Sequence, residues 1–311
     1  MEKVFVTGAT GFVGNALAHY CLTQGNETHV LVRSPEARRN FSPGITVHLT
    51  DGSIDSLRHA LEQSRPDTVF HLASLFLANH QPEQAASLVT SNILFGTQLL
   101  EAMALTGCKK LVNTGTSWQH FATTEYLPVN LYAATKQAFA DIATYYHEAA
   151  GLSCITLKLF DTFGPGDTRR KLVNILLDAA RTGEALDMSP GMQIIDISYV
   201  DDVVTAFAQA ARLLETSPKP VLKDYFVSGE RLTLRDFVQV VSSTLGRKIN
   251  ARFGARPYRE REVMQPVAPG DLLLPGWQPH YGLAEGIRLL VGQSGHAPRS
   301  SMSLRNTGFS A

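Results

Sequence analysis

Apolar and polar positions along this chain alternate as buried strands and amphipathic helices do. The run from Val4 to Gly14, VFVTGATGFVG, breaks into glycines and predicts the first strand of a parallel sheet, a tight turn, and a helix over Phe12–Leu22. Short apolar runs predict further strands at Thr28–Val32, Ile45–Leu49, Thr68–Leu72, Lys110–Asn113 and Ser153–Phe160. Helical spacing between them predicts helices over Ile54–Gln63, Ala85–Leu105 and Leu131–Ala150. This alternation specifies an α/β fold.

Beyond Gly166 the alternation loosens. A helix is predicted over Leu172–Thr182, then a loop rich in Gly, Pro and Met, a strand over Ile194–Ser198 and a helix over Asp201–Leu214. A last strand at Tyr225–Val227 precedes a helix over Leu234–Leu245. The expected division is a nucleotide-binding domain over 1–165 and a smaller lobe over 166–291, with about 193–228 returning to the first core. Residues 292–311 lack periodicity and are expected to be a disordered tail.

The glycine turn carries the first chemical signal. It directs backbone N–H groups and the positive end of a helix dipole into one crevice, which is what a pyrophosphate needs. Gly8 permits the turn, Gly11 admits the phosphates, and Gly14 allows close packing of helix on strand. A glycine triplet alone is also an ordinary βα turn; the strand before it and the apolar helix after it favour a dinucleotide site.

The strand ends then refine the ligand. The second strand ends at Arg33, with Arg38 and Arg39 close behind, where an acidic residue would hold a ribose 2′-hydroxyl and an arginine accommodates a 2′-phosphate. NADP is therefore favoured, with NAD possible. Asp51 ends the third strand at a position for the adenine amino group. The small residues Ala73 and Ser74 leave room for cofactor at the end of the fourth. His71 is expected to be a packed strand residue. The fifth strand runs into a hydroxyl-rich loop, Thr114 to Trp118.

Tyr132 and Lys136 lie one helical turn apart, so both project from one face. An ammonium beside a phenol is expected to lower the phenol's pKa towards a range useful near neutrality.

Composition excludes several classes. Lys plus Arg equals Asp plus Glu, 28 each in 311 residues, which leaves no electrostatic footprint for nucleic acid or an anionic membrane. Local clusters such as Arg169, Arg170 and Lys171 remain able to grip a phosphate. No apolar run looks long enough to cross a bilayer and none suggests a signal peptide, so a cytoplasmic protein is expected. Cys21, Cys108 and Cys154 lack metal-ligand spacing and are expected as reduced thiols in or near the core; no metal is expected.

Taken in order, TGATGFVG at 7–14, FHLAS at 70–74, the Thr116 loop, YAATK at 132–136, FGPGD at 163–167 and YVDDV at 199–203 make the chain similar to the extended short-chain dehydrogenase/reductase family of nucleotide-sugar epimerases, dehydratases and reductases. The likeness runs from Val4 to about Ile287. It implies a Rossmann doubly wound parallel sheet with a smaller C-terminal substrate-binding lobe. NLYAATKQAF, LKLFDTFGPGD, SPGMQIIDISYVDD and TGTSWQHF most resemble the reductases that make CDP-abequose, CDP-paratose and related deoxysugars by reducing a 4-keto group.

By position, the resemblance implies that Tyr132 is the general acid, Lys136 binds the nicotinamide ribose, and Thr116 hydrogen-bonds the carbonyl oxygen. Cofactor contacts are implied for Gly8, Thr10, Gly11, Phe12 and Val13 at the first turn, and for Arg33, Asp51 and Gly52 at the adenosine end. Leu72, Ala73, Ser74, Asn92, Thr114 and Phe160 complete them along the sheet edge. Substrate contacts are implied for Ser74, Ser117, Trp118, Asp161, Lys171, Gln193 and Arg259. Relatives often carry a phosphate-binding arginine where this chain has Ile195, and Arg169, Arg170 or Lys171 are candidate substitutes.

The implied activity is NADPH-dependent reduction of a 4-keto group on a nucleotide-diphosphate deoxyhexose. Alternatives are a nucleotide-sugar 4-epimerase with tightly bound NAD, and a dinucleotide sensor without turnover; a sensor has no need of Tyr132, Lys136 and Thr116. A 4,6-dehydratase of the family needs an Asp-Glu pair after the threonine, where this chain has Ser117-Trp118. The helices around Asn92–Leu105 and Leu131–Ala150 carry more apolar surface than one sheet face requires. Relatives pair them into a four-helix bundle, so a homodimer is expected.

Overall fold

Each apolar run of the N-terminal half folds as a strand, because alternate side chains find cover on both faces of one sheet. The computed structural model describes residues 3–121 and 123–294. Its strands are β1 (Lys3–Thr7), β2 (Glu27–Val32), β3 (Ile45–Leu49), β4 (Thr68–His71), β5 (Lys110–Thr116), β6 (Ser153–Leu159), β7 (Asp161–Phe163), β8 (Leu186–Met188), β9 (Ile194–Tyr199), β10 (Leu222–Val227), β11 (Glu230–Thr233) and β12 (Ala251–Phe253). The helices are α1 (Phe12–Thr23), α2 (Ile54–Ser64), α3 (Ala85–Val89), α4 (Phe95–Thr106), α5 (Leu131–Ala150), α6 (Leu172–Thr182), α7 (Val200–Thr216), α8 (Leu234–Leu245) and α9 (Leu283–Ser294).

Seven strands pair in the order β10-β6-β5-β4-β1-β2-β3, every pair parallel, so their carboxyl ends share one edge. A parallel sheet must be covered on both faces. Val4, Val6, Val30 and Val32 pack with α1 and α7, while Phe5 and Leu31 point the other way into α2, α4 and α5. This is the Rossmann sheet.

A second core, formed by α6, α8, α9 and the β7-β9-β11 sheet, makes the smaller lobe. In the stretch 193–228, α7 and β10 return to the large sheet, but β9 pairs with β7 and β11 instead. Helix α9 reaches Ser294, so the first residues of the expected tail are helical; 295–311 lie outside the described residues.

The long helix expected over Ala85–Leu105 is interrupted. Between α3 and α4, Thr90–Leu94 forms a π turn, a widening that recurs at functional sites. The continuous helical stretch over 82–106 also amends the reading on membranes: by length and mean hydropathy, 1.3, it could cross one. Leu99, Leu100, Ala102 and Met103 are instead buried against α2 and α5, as in a core helix. The three cysteines are free and buried, with burial raising their thiols to about 12, 11 and 12 for Cys21, Cys108 and Cys154. That makes them inert.

Candidate active site

The parallel sheet delivers the sequence motifs to its carboxyl edge. At β1, Gly8 has φ +70°, and a Cβ on Gly14 would stand 2.3 Å from the Gly8 carbonyl oxygen, so only glycine permits this approach. Side chains of Ser53, Asn130 and Thr233 cap α2, α5 and α8, whereas α1 begins at Gly11 with no side-chain cap. Its first-turn N–H groups and positive dipole face the crevice without a competing protein acceptor, which fits a dinucleotide pyrophosphate. Thr10 and Gly11 are exposed there, and Phe12 and Val13 half-buried.

Arg33 follows β2 and is exposed, and the 3₁₀ turn Pro35–Asn40 presents exposed Arg38 and Arg39. Asp51 is exposed after β3. Its Oδ1 accepts from Ser53 N at 2.9 Å and Ser53 Oγ at 2.6 Å, which hold the carboxyl down to about 2. Gly52 beside it has φ +91°.

Leu72, Ala73 and Ser74 follow β4. His71 is a buried strand residue as expected, 2.8 Å from Thr7 Oγ1 and packed against Phe95 and Phe139. Strand β5 runs three residues further than expected, through Thr116, because Thr114 to Thr116 pair with Leu157 to Leu159 of β6. Thr114 thereby donates to the His71 carbonyl, 2.9 Å, and is tied to the sheet.

Thr116 caps the short turn Ser117–Gln119. Its Oγ1 accepts from Trp118 N at 3.3 Å, leaving the hydroxyl proton to donate. Gln119, fully buried, holds Thr116 N at 3.0 Å with Oε1 and donates to Gln137 Oε1 on α5 at 2.7 Å.

Helix α5 carries Tyr132 and Lys136, both buried. The expected depression of the phenol pKa is not what the environment produces. Burial pushes Tyr132 up to about 12, opposed by hydrogen bonding to Ser74 and by the charge of Arg169, and Lys136 is not among the groups that lower it. Burial lowers the Lys136 ammonium itself to about 8. In a low-dielectric site each group resists its charged form, so the phenol is held protonated, the form a proton donor requires.

Asn92, expected at the cofactor, has another task. Its Oδ1 accepts from Ser74 Oγ and Leu75 N, at 3.1 and 2.7 Å, and its Nδ2 donates to the Leu75 carbonyl and Thr135 Oγ1, at 3.0 and 2.9 Å. Two donors and two acceptors are thus all engaged. From the π turn, Asn92 positions the Ser74–Leu75 loop against the helix that carries Tyr132.

Between the two lobes lies a cleft of about 320 Å³, lined by Ser117, Trp118, Phe160, Asp161, Lys171 and Arg259 among others. Gln193 is not among the lining residues: it is buried, with Nε2 donating to Ser189 Oγ at 2.9 Å, while Ile194 to Asp196 face the cleft. Of the candidate substitutes for the arginine absent at Ile195, Lys171 reaches the cleft, 3.3 Å from Asp161. Arg169 is clamped by Asp167 at 2.6 and 2.7 Å and stacked over Phe12 at 4.9 Å, and neither it nor Arg170 lines the cleft.

Sequence reasoning missed two groups. Phe76 lies between Tyr132 and Trp118, ring centroids 5.0 and 5.7 Å away, and its only sequence signal was an aromatic two residues past FHLAS. His120 faces the cleft while its Nε2 accepts from the buried Lys158 Nζ at 3.0 Å, and Lys158 pairs with Asp224 at 2.8 Å. These partners are far apart in the chain and left no local pattern.

Residues 4–225 match the model of the NAD dependent epimerase/dehydratase family, and the chain belongs to it. It is an NAD(P)-dependent enzyme of the oxidoreductase type. A CDP-abequose synthase of Salmonella typhimurium is 26% identical over 93% of this chain and 97% of its own length. A dTDP-6-deoxy-L-talose 4-dehydrogenase (NAD(P)(+)) of Kitasatospora kifunensis is 28% identical over 95% and 96%. Among solved structures, the UDP-glucose 4-epimerase of Thermus thermophilus in complex with NAD superposes with TM-score 0.80 at 26% identity, covering 95% of this chain and 99% of that one.

Proposed function

We propose that this protein reduces the 4-keto group of a nucleotide-diphosphate deoxyhexose with NADPH. The observation that carries the reading is Tyr132, a buried phenol held protonated beside the Thr116 turn. When bound, the nicotinamide supplies hydride to the carbonyl carbon. Tyr132 then gives its proton to the carbonyl oxygen, and the Thr116 hydroxyl donates to the same oxygen as negative charge builds on it. Lys136 holds the nicotinamide ribose. Lys171 and Arg259 are the cleft cations for the diphosphate in the absence of an arginine at 195.

The similarity to a CDP-abequose synthase and to a 4-dehydrogenase of a deoxysugar supports this chemistry. Arg33, Arg38 and Arg39 beside the end of β2 favour NADP over NAD, as Arg33 stands where a carboxylate would hold a ribose 2′-hydroxyl. After Thr116 come Ser117 and Trp118, and neither has the acid-base capacity that dehydration at C5 and C6 requires. Charged substrates of this kind suit a cytoplasmic enzyme, and the exposed apolar residues of α3, α4 and α5 suit a homodimer.

A second reading, 4-epimerisation with retained NAD, draws on the likeness to the Thermus enzyme. One experiment separates the two. The purified protein is incubated with NADPH and a panel of nucleotide 4-keto-6-deoxyhexoses while absorbance is followed, and one NADPH is expected to be oxidised per sugar reduced. Stoichiometric NAD released on denaturation, with two C4 epimers interconverting and no net cofactor use, overturns the reductase reading.

A further inference from the structure

The cleft beside the proton donor is walled by aromatic rings. Phe76 meets Tyr132 edge-on at 5.0 Å and 80°, and Trp118 lies against Phe76 at 5.7 Å. Phe76 remains 40% exposed although nothing in the fold requires a phenyl ring at the surface there. Phe76 and Trp118 both line the cleft, so a sugar carbonyl that reaches Tyr132 brings its ring carbons against them.

Polar side chains at this end of the cleft are engaged by the protein itself. Asn130 accepts from Ala133 N at 3.0 Å and donates to the Ala78 carbonyl at 2.9 Å. His120 donates through Nδ1 to the Glu125 carbonyl and accepts Lys158 at Nε2, each at 3.0 Å. Asp161 is paired with Lys171, whose ammonium lies 5.3 Å from the Phe76 ring centre. A sugar hydroxyl entering here loses water and meets ring faces, an unfavourable exchange, whereas a methylene or methyl group is favoured.

We infer that the preferred hexose is a dideoxy sugar, lacking a second ring hydroxyl in addition to the one at C6, and that Phe76 and Trp118 make that selection. The inference rests on the 4-ketoreductase reading and narrows its substrate. An apolar pocket discriminates against one added hydroxyl by up to roughly 10²-fold, so a preference of about tenfold or more is expected.

The test compares nucleotide 4-keto-6-deoxyhexose with nucleotide 4-keto-3,6-dideoxyhexose, on the same nucleoside diphosphate. It measures kcat/KM with NADPH and, separately, the Kd of each sugar nucleotide by calorimetry without NADPH. The wild-type protein is expected to favour the dideoxy substrate about tenfold or more in both. Phe76→Asn and Trp118→Gln, each checked for retained NADPH binding, should bring the ratio to within about threefold by weakening the dideoxy substrate. Equal use and equal binding of the two sugars by the wild type, or an unchanged ratio in both variants, overturns the selection. If neither sugar is reduced, the ketoreductase reading fails on its own, and the calorimetric ratio still decides whether the aromatic wall selects.

Discussion

Asn92 Nδ2 donates to Thr135 Oγ1 across 2.9 Å, joining the π turn of one helix to the helix that carries Tyr132 and Lys136. The same amide holds Leu75 through both its N–H and its carbonyl. Asn92→Leu leaves these groups buried without partners, at about 1–3 kcal/mol each. Urea unfolding should show a loss on the order of 3 kcal/mol, and kcat should fall as Ser74 loses its support. Wild-type stability in this variant contradicts the positioning role.

Tyr132→Phe removes the proton donor while keeping the ring. Turnover should drop by roughly 10²–10⁴-fold with NADPH binding intact by fluorescence titration. Near-normal turnover rules out Tyr132 as the acid. Because burial keeps Tyr132 protonated to about 12 while the Lys136 charge is lost near 8, the alkaline fall in kcat/KM should centre near pH 8.

Lys136 also marks stability. Its ammonium titrates near 8 in the folded protein against an ordinary value of 10.5. Below pH 8 both states are charged and the folded state bears the full cost of burial. Between 8 and 10.5 the unfolded chain binds the extra proton, so stability rises with pH through that window. Lys136→Met should therefore be the more stable protein at pH 7, by on the order of 3 kcal/mol, with the gap closing as pH approaches 10.5. Parallel stability curves for the two proteins would contradict this.

Arg33 is exposed after β2, where a 2′-phosphate would be met by charge-assisted hydrogen bonds. Arg33→Ala should weaken NADPH by about 1.5–3 kcal/mol and leave NADH nearly unchanged. Equal weakening of both in parallel titrations removes the NADP assignment.

Val89, Leu94, Leu105 and Tyr145 stand 45%, 50%, 60% and 65% exposed on α3, the adjoining π turn, α4 and α5. Apolar exposure of this extent on neighbouring helices is what a subunit interface covers. Light scattering at micromolar concentration should give a dimer for the wild type and a monomer for Leu94→Lys combined with Leu105→Lys. A wild-type monomer refutes the interface.

Much of the site was legible because its parts are local. The turn at Gly8–Gly14 depends on residues three apart, and the pairing of Tyr132 with Lys136 on one helical turn. Parallel strands then carry Gly8, Arg33, Ser74, Thr116 and Phe160 to one edge whatever the details of packing. Asn92 and Gln193 were misread because each side chain is claimed by neighbours that no spacing rule reveals: Ser74 and Thr135 in one case, Ser189 in the other.

Residue order alone was enough for the alternating fold, the glycine turn, and the presence of a phenol, an ammonium and a hydroxyl at the sheet edge, since short-range backbone geometry and side-chain period decide these. The protonation of Tyr132 and Lys136 was settled only in three dimensions, because desolvation is the collective effect of every element packed around them and outweighs the pair's own charge. The same holds for the division of labour among the cations. Asp167 removes Arg169 from the cleft and leaves Lys171 in it, a choice made by which carboxylate the folded loop brings within reach.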